Sequence, residues 1–136
     1  MHPRPDDRSG VPDRVGNYLI EERLGTGGMG AVYRAFDQAL QRPLAIKRLL
    51  PDTADATRKL RFRREACMAA RLNHPAIVHI YDIVETDEGD WIVMELVEGK
   101  TLDRTMRDGL LTALRTVQLV REIADGLAEA HAHGIV

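Results

Sequence analysis

Short stretches in which apolar and polar residues alternate dominate the first two-thirds of the chain. Residues 17–24 place Tyr18, Ile20 and Leu24 on one side at a period of two, with charged residues on the other. Such alternation is typical of a strand with one buried and one solvated face. Other apolar, β-branched stretches predict four further strands. They cover residues 31–36, 44–50, 77–84 and 91–97.

Apolar residues recur at helical spacing in the segments between and after these strands. Residues 57–72 are predicted to form a helix that stops before Pro75, because proline disfavours a helical residue before it. Residues 102–107 predict a short helix and residues 112–133 a long one. The order of three strands, a helix, two strands and then helices predicts an α+β fold.

Composition narrows the class of protein. The chain has 136 residues, of which 44% are apolar and 29% charged, values typical of a globular domain or part of one. The net charge of −2 argues against a nucleic-acid partner held by charge. No stretch approaches the roughly 18 apolar residues that span a bilayer, so no membrane segment is expected in this chain.

The first residues and the single cysteine bear on organisation and location. Residues 1–16 lack periodicity and an apolar run, which predicts a disordered leader rather than a secretory signal. Cys67 is the only cysteine, so an internal disulfide is excluded and a cytoplasmic location is expected. We expect Cys67 to be a small core residue.

A glycine-rich motif follows the first predicted strand. Gly25, Gly27 and Gly30 fit the spacing G-x-G-x-x-G, which lets backbone N–H groups approach a phosphate. The spacing alone fits a dinucleotide-binding turn, a flap over phosphates or a flexible hairpin. A dinucleotide turn needs a fully buried strand before it and a helix after it. The charges at residues 21–23 and the β-branched, aromatic character of residues 31–36 oppose that alternative.

A lysine in an apolar strand is the second candidate functional feature of the sequence. Lys47 lies within the predicted strand 44–50, and a buried lysine is costly unless an anion meets it. Glu65 in the following helix is a candidate partner. The plainer alternatives are an edge lysine that points to solvent and a solvated glutamate. Arg63 and Arg64 are expected on a solvated helix face.

The order of these motifs carries a family resemblance. The segments LGTGGMGAVYRA, AIK, RREA, LNHPAIV and VMELVEG follow one another as in bacterial eukaryotic-type (Hanks-type) serine/threonine protein kinases, and the chain resembles the N-terminal part of that catalytic domain. The resemblance implies a kinase-like N-lobe over residues 17–97, a five-stranded antiparallel sheet with one long helix. Residues 98–136 would be the hinge exit and the first helices of a C-lobe, truncated before the catalytic loop.

The same resemblance implies a nucleotide site. Gly25, Gly27 and Gly30 would form the flap over the ATP phosphates, Lys47 would contact the α- and β-phosphates, and Glu65 would orient Lys47. The positions implied around the adenine and ribose are Leu24, Val32 and Ala45 as apolar walls, Met94 as gatekeeper, Glu95 and Val97 as hinge, and Thr101 near the ribose.

The resemblance also implies what the 136 residues lack. The sequence contains no His-Arg-Asp catalytic loop and no Asp-Phe-Gly segment, so the Mg²⁺ ligands would lie outside this chain and no metal-binding residues are assigned within it. The parent protein would transfer phosphate from ATP to Ser/Thr hydroxyls of protein substrates, with a second kinase copy as a candidate partner. The chain alone would be inactive. The alternative is a non-catalytic nucleotide-binding or regulatory docking module.

Overall fold

A computed structural model of the chain describes residues 10–27, 30–48, 56–87 and 89–135. Six strands form one antiparallel sheet in the order β1-β2-β3-β4-β6-β5, and three helices accompany it. The strands are β1 (Arg14–Val15), β2 (Tyr18–Gly27), β3 (Gly30–Asp37), β4 (Arg42–Arg48), β5 (Ile80–Thr86) and β6 (Gly89–Met94). The helices are α1 (Ala56–Ala69), α2 (Leu102–Arg107) and α3 (Ala113–Ala132).

One face of the sheet carries a closed hydrophobic core. Tyr33 on β3 is opposite Ile46 on β4, which is opposite Val93 on β6, and all three are buried. Cross-strand neighbours point to the same face, so this row defines the core side of the sheet. The core cluster comprises Val15, Ile20, Tyr33, Ala35, Leu44, Ile46, Trp91 and Val93.

The sheet has one strand more than the five predicted. Arg14 and Val15 pair with Leu19 and Tyr18, and Val15 is almost fully buried in the core. The predicted disordered leader is therefore wrong for its last residues, because a two-residue pairing and one apolar anchor are enough to order them. Residues 1–9 lie outside the described part of the chain.

Two irregularities in β2 explain a second difference. The pairing with β3 shifts between Ile20 and Glu22 and again between Arg23 and Gly25. Each shift adds an unpaired residue and changes which side chains share a face. The predicted period of two therefore holds for Ile20, which is buried, and not for Leu24, which is 48% exposed.

The two strands after α1 differ from their predicted bounds. β5 begins three residues later than predicted, and β6 ends three residues sooner. A turn occupies the start of the predicted strand 77–84, because the N–H of Ile77 donates to the carbonyl of His74 at 3.0 Å. The predicted strand 91–97 ends at Met94. Its next residue, Glu95, is tied to His79, whose N–H donates to the Glu95 carboxylate at 3.2 Å.

The helices match their predicted ranges closely, and two have side-chain caps. The hydroxyl of Thr101 accepts a hydrogen bond from the N–H of Arg104 at the start of α2. Thr112 caps α3 in the same way through the N–H of Arg115. These hydroxyls satisfy N–H groups that have no partner inside the helix, which fixes both starting points.

The long helix α3 differs from the sheet in its burial. Gly126 is its buried residue among those described, and an added Cβ there would lie 3.2 Å from the Cβ of Ala76. Apolar side chains elsewhere along α3, such as Val117 and Leu127, are exposed. No described helix is both long enough and apolar enough to cross a membrane.

Candidate nucleotide-binding site

The face of the sheet opposite the core gathers several of the predicted site residues. Val32, Lys47 and Ile92 are cross-strand neighbours on β3, β4 and β6. Ala45, two residues before Lys47, is opposite Met94 on β6. Because cross-strand pairs share a face, these residues line one side of the sheet. Ala45 is buried, whereas Val32, Lys47 and Met94 are partly accessible. The register thus sets Lys47 beside apolar residues in one strip of this face. Arg34, opposite Ala45, lies on the same face and pairs with Glu21.

The glycine motif lies at the turn end of the hairpin, where β2 connects to β3. Gly25 is opposite Val32, and Gly27 is opposite Gly30, so the motif adjoins the strip that contains Lys47. Gly30 has a φ of 122°, and a Cβ at this position would lie 2.2 Å from the carbonyl oxygen of Arg48. Only glycine allows this backbone conformation and this approach to β4. Residues 28–29, the tip of the hairpin, lie outside the described residues.

Leu24 occupies the second irregularity of β2, immediately before Gly25. Its partial exposure leaves apolar surface beside the glycine hairpin. Sequence alternation alone would have placed this residue with the core. The irregularity instead separates it from Ile20, which is a core residue.

Helix α1 carries the predicted partner of Lys47. Glu65 lies within α1, but its side chain is outside the described part of the structure, so the Lys47–Glu65 pair stays a prediction.

Two other α1 residues differ from what the sequence predicts, and one of them forms an ion pair that was not predicted. Arg63 Nη2 lies 2.5 Å from Glu85 Oε1 on β5, and the Arg63 side chain stays 40% exposed, so the predicted solvated face also carries a contact to the sheet. Cys67 is exposed, so its predicted core role is wrong.

The connection after β6 presents backbone groups at the edge of the site. The N–H of Glu95 donates to the carbonyl of His79 at 2.8 Å, which fixes the start of the connection. Val97 is 66% exposed, and its N–H makes no backbone hydrogen bond with any residue in the described ranges. Thr101 is the cap of α2, a structural role that the sequence analysis missed. The signal was present, because a threonine that directly precedes a helical segment is a typical N-cap.

The chemistry of these groups fits a nucleoside triphosphate. A polyphosphate needs a cation and aimed N–H donors, which Lys47 and the glycine hairpin offer. A flat base needs apolar surface and a few backbone partners at its edge, which Val32, Ala45 and Val97 offer. No cluster of three or more His, Cys, Asp or Glu side chains suited to a metal ion occurs within the described ranges.

Comparison with known proteins points to one family. The model of the family described as "Protein kinase domain" matches residues 18–136. The serine/threonine-protein kinase PknB of Mycolicibacterium smegmatis is 45% identical over 125 residues, which cover 88% of this chain and 20% of that protein. PknB of Mycobacterium tuberculosis is 44% identical over 125 residues, with the same shares. The chain thus spans about a fifth of the length of these curated relatives.

A solved structure agrees in fold. The kinase domain of Mycobacterium tuberculosis PknI superimposes with a TM-score of 0.77 at 33% sequence identity, over 89% of this chain and 50% of that one. The similarity therefore extends over the sheet and into the helices. The chain corresponds to about half of the solved kinase domain.

Proposed function

The chain belongs to the protein kinase domain family, and from this premise we propose that its parent protein transfers the γ-phosphate of ATP to serine and threonine hydroxyls of other proteins. The observation that carries the proposal is the register that sets Lys47 among apolar residues beside the glycine hairpin. Similarity to named serine/threonine-protein kinases over most of the chain supports the choice of acceptor hydroxyls.

Each part of the strip has a role in this proposal. The ammonium group of Lys47 neutralises charge on the α- and β-phosphates, and the N–H groups of the hairpin hold the phosphate oxygens. Glu65 orients Lys47. ATP is the donor of the phosphoryl group, and Mg²⁺, with ligands outside this chain, would lower the charge that Lys47 and the hairpin must bind. Residues proposed to hold adenine and ribose are Leu24, Val32, Ala45, Met94, Glu95, Val97 and Thr101.

We further propose that the 136 residues by themselves bind nucleotide without transferring phosphate. Phosphoryl transfer depends on positioning the acceptor hydroxyl and on metal ions that bridge the phosphates. The sequence holds no His-Arg-Asp or Asp-Phe-Gly segment to supply these groups. Metal binding and orientation of the acceptor are assigned to residues outside this chain. We also propose a cytoplasmic location for this region, where ATP is available and a lone cysteine stays reduced.

A transfer assay with labelled ATP and a generic protein acceptor tests both proposals. The protein isolated from its own cells should label the acceptor, and a Lys47→Met variant should lose at least about 100-fold in rate, since one charge-stabilising group is commonly worth that much. The 136-residue chain should label nothing above the Lys47→Met background. Transfer by the 136 residues, or full activity in Lys47→Met, would contradict the respective proposal.

A further inference from the structure

Two of the described α1 side chains, Arg63 and Ala66, show how the helix meets the sheet. Of the α1 side chains that the structure describes, Ala66 alone is buried, and Leu60 is 67% exposed. An alanine offers little apolar area, so the burial of Ala66 by itself does little to set the rotation of the helix. The ion pair between Arg63 and Glu85 is a specific, directional contact between α1 and the sheet.

The register shows which face of the sheet this ion pair reaches. Lys47 is opposite Ile92, and Ile92 is opposite Ile83 on β5. Glu85 lies two residues beyond Ile83, so it shares the face that carries Lys47. Arg63 thus holds α1 on the same side of the sheet as the proposed nucleotide site, at the β5 edge.

The helical repeat relates Arg63 to the position of Glu65. Successive residues turn by about 100° around a helix axis. Position 66 then falls between positions 63 and 65, about 60° from the first and about 100° from the second. With Ala66 buried and Arg63 anchored toward β5, position 65 lies on the flank directed away from β5. The sheet order runs β5, β6, β4, so that flank is the one nearer Lys47.

We propose that the Arg63–Glu85 ion pair is a positioning device that sets the rotation of α1 and so holds position 65 beside Lys47. This inference rests on the proposed function, because it assumes that Glu65 orients Lys47 toward ATP. The ion pair joins α1 to β5, two strand spacings or about 10 Å from the strand of Lys47. It acts through the helix and does not touch the nucleotide.

The expected effect is a shift between two helix positions. The two side chains of the pair are 40% and 53% exposed, so solvent screens the attraction. An exposed ion pair of this kind corresponds to about a two- to fivefold change in an equilibrium. A change of this size lowers the population of the binding-competent state, and where that state is the minor one the apparent affinity for ATP falls by the same factor. Overall stability changes little.

A double-variant experiment on the protein isolated from its own cells tests the inference. Arg63→Gln and Glu85→Gln should each weaken ATP binding about two- to fivefold at low salt. The charge-swapped pair, Arg63→Glu with Glu85→Arg, should restore most of the affinity. In a Lys47→Met background, Arg63→Gln should have no further effect, because the ion pair acts only through Lys47. A purely structural role would leave the effect of Arg63→Gln unchanged in that background.

Arg64→Gln is the matched control, because Arg64 is the neighbouring α1 arginine and is exposed without an ion pair among the described residues. It should bind ATP as the unsubstituted protein does. If Arg63→Gln matches this control while Lys47→Met loses affinity, the positioning role is wrong and the proposed function stands. If Lys47→Met itself retains full affinity, the proposed nucleotide site is wrong.

Discussion

About half of the residues in the sheet and about half of those in helix α3 are apolar, yet the two regions bury them to very different extents. Leu44, Ile46 and Val93 in the sheet are inaccessible to solvent, whereas Val117 and Leu114 in α3 are 67% and 71% exposed. The sheet closes its core with side chains from its own strands. The apolar side of α3 has no comparable cover within the described chain.

This difference shows which part of the 136 residues supplies the hydrophobic core and the candidate nucleotide site. The sheet supplies both its own core and, on its opposite face, the strip that contains Lys47. Helix α3 contributes a close contact at Gly126 and otherwise presents apolar surface. We therefore expect stability and nucleotide binding to depend on the sheet, and association behaviour to depend on α3.

Matched leucine truncations in the sheet and in α3 should give the largest difference between the two regions. Leu44→Ala removes a fully buried side chain and should lower the free energy of unfolding by about 2–5 kcal/mol. Leu114→Ala removes an exposed one and should change it by less than about 0.5 kcal/mol. Urea unfolding of the two variants measures both values. Equal losses would show that α3 belongs to the same cooperative core.

The glycine hairpin allows a second matched pair. Gly30→Ala should destabilise the chain by about 1–3 kcal/mol, because a positive φ and a Cβ against the carbonyl of Arg48 both oppose alanine. In Gly25→Ala the new Cβ meets no atom within 4 Å, so a much smaller change is expected. Thermal unfolding compares the two. A larger loss in Gly25→Ala would contradict the hairpin geometry.

Helix α3 should control self-association of the 136-residue chain. Its exposed apolar side invites contact between copies at concentrations on the order of tens of micromolar. Val117→Glu combined with Val120→Glu should weaken association about tenfold, since charge on an apolar contact opposes burial. Gln118→Glu, also exposed on α3, serves as the control. Sedimentation velocity gives the result, and a monomeric unsubstituted chain would contradict the expectation.

The smallest expected effect concerns one polar contact that crosses the sheet. The hydroxyl of Tyr18 on β2 donates to the carboxylate of Asp82 on β5 at 3.1 Å. Burial, followed by the charge of Asp82, raises the pKa of Tyr18 from 10.0 to about 12. Folding thus favours the protonated phenol. Its contribution is complete below pH 10 and is lost as the pH rises through 12.

Replacement of this tyrosine isolates that contribution. Tyr18→Phe should cost about 1 kcal/mol or less at neutral pH, and the advantage of the tyrosine should fall steadily as the pH rises from 10 to 12. Denaturant unfolding at several pH values measures it. A difference that stays constant from pH 9 to pH 12, beyond about 0.3 kcal/mol of error, would show that the hydroxyl contributes by packing alone.

Most of the fold could be predicted from local pattern. The short helix α2 coincides with its predicted range, and α3 differs by one residue at each end. Five strands and their order along the chain also follow from apolar periodicity. Residues 14–15 escaped prediction because two residues are too few to show a period. The exposure of Leu24 escaped because irregularities in strand pairing depend on the partner strand, which local sequence does not encode.

The site was predictable in part for a similar reason. The glycine spacing and the strand lysine are local patterns, and the structure brings Lys47, Val32 and Met94 to one face. The contact between Arg63 and Glu85 joins a helix and a strand across 22 positions of the chain. No local sequence pattern predicts a pair at that separation. Long-range pairs of this kind require the packing of α1 on the sheet.

Amide hydrogen exchange of the 136-residue chain, with and without ATP, tests the central claim most directly. The account predicts that ATP protects backbone amides around residues 25–30, 45–47 and 95–97, leaves α3 unchanged, and has no such effect on a Lys47→Met variant. Protection confined to α3, or identical protection in the variant, would contradict the assignment of nucleotide binding to the sheet.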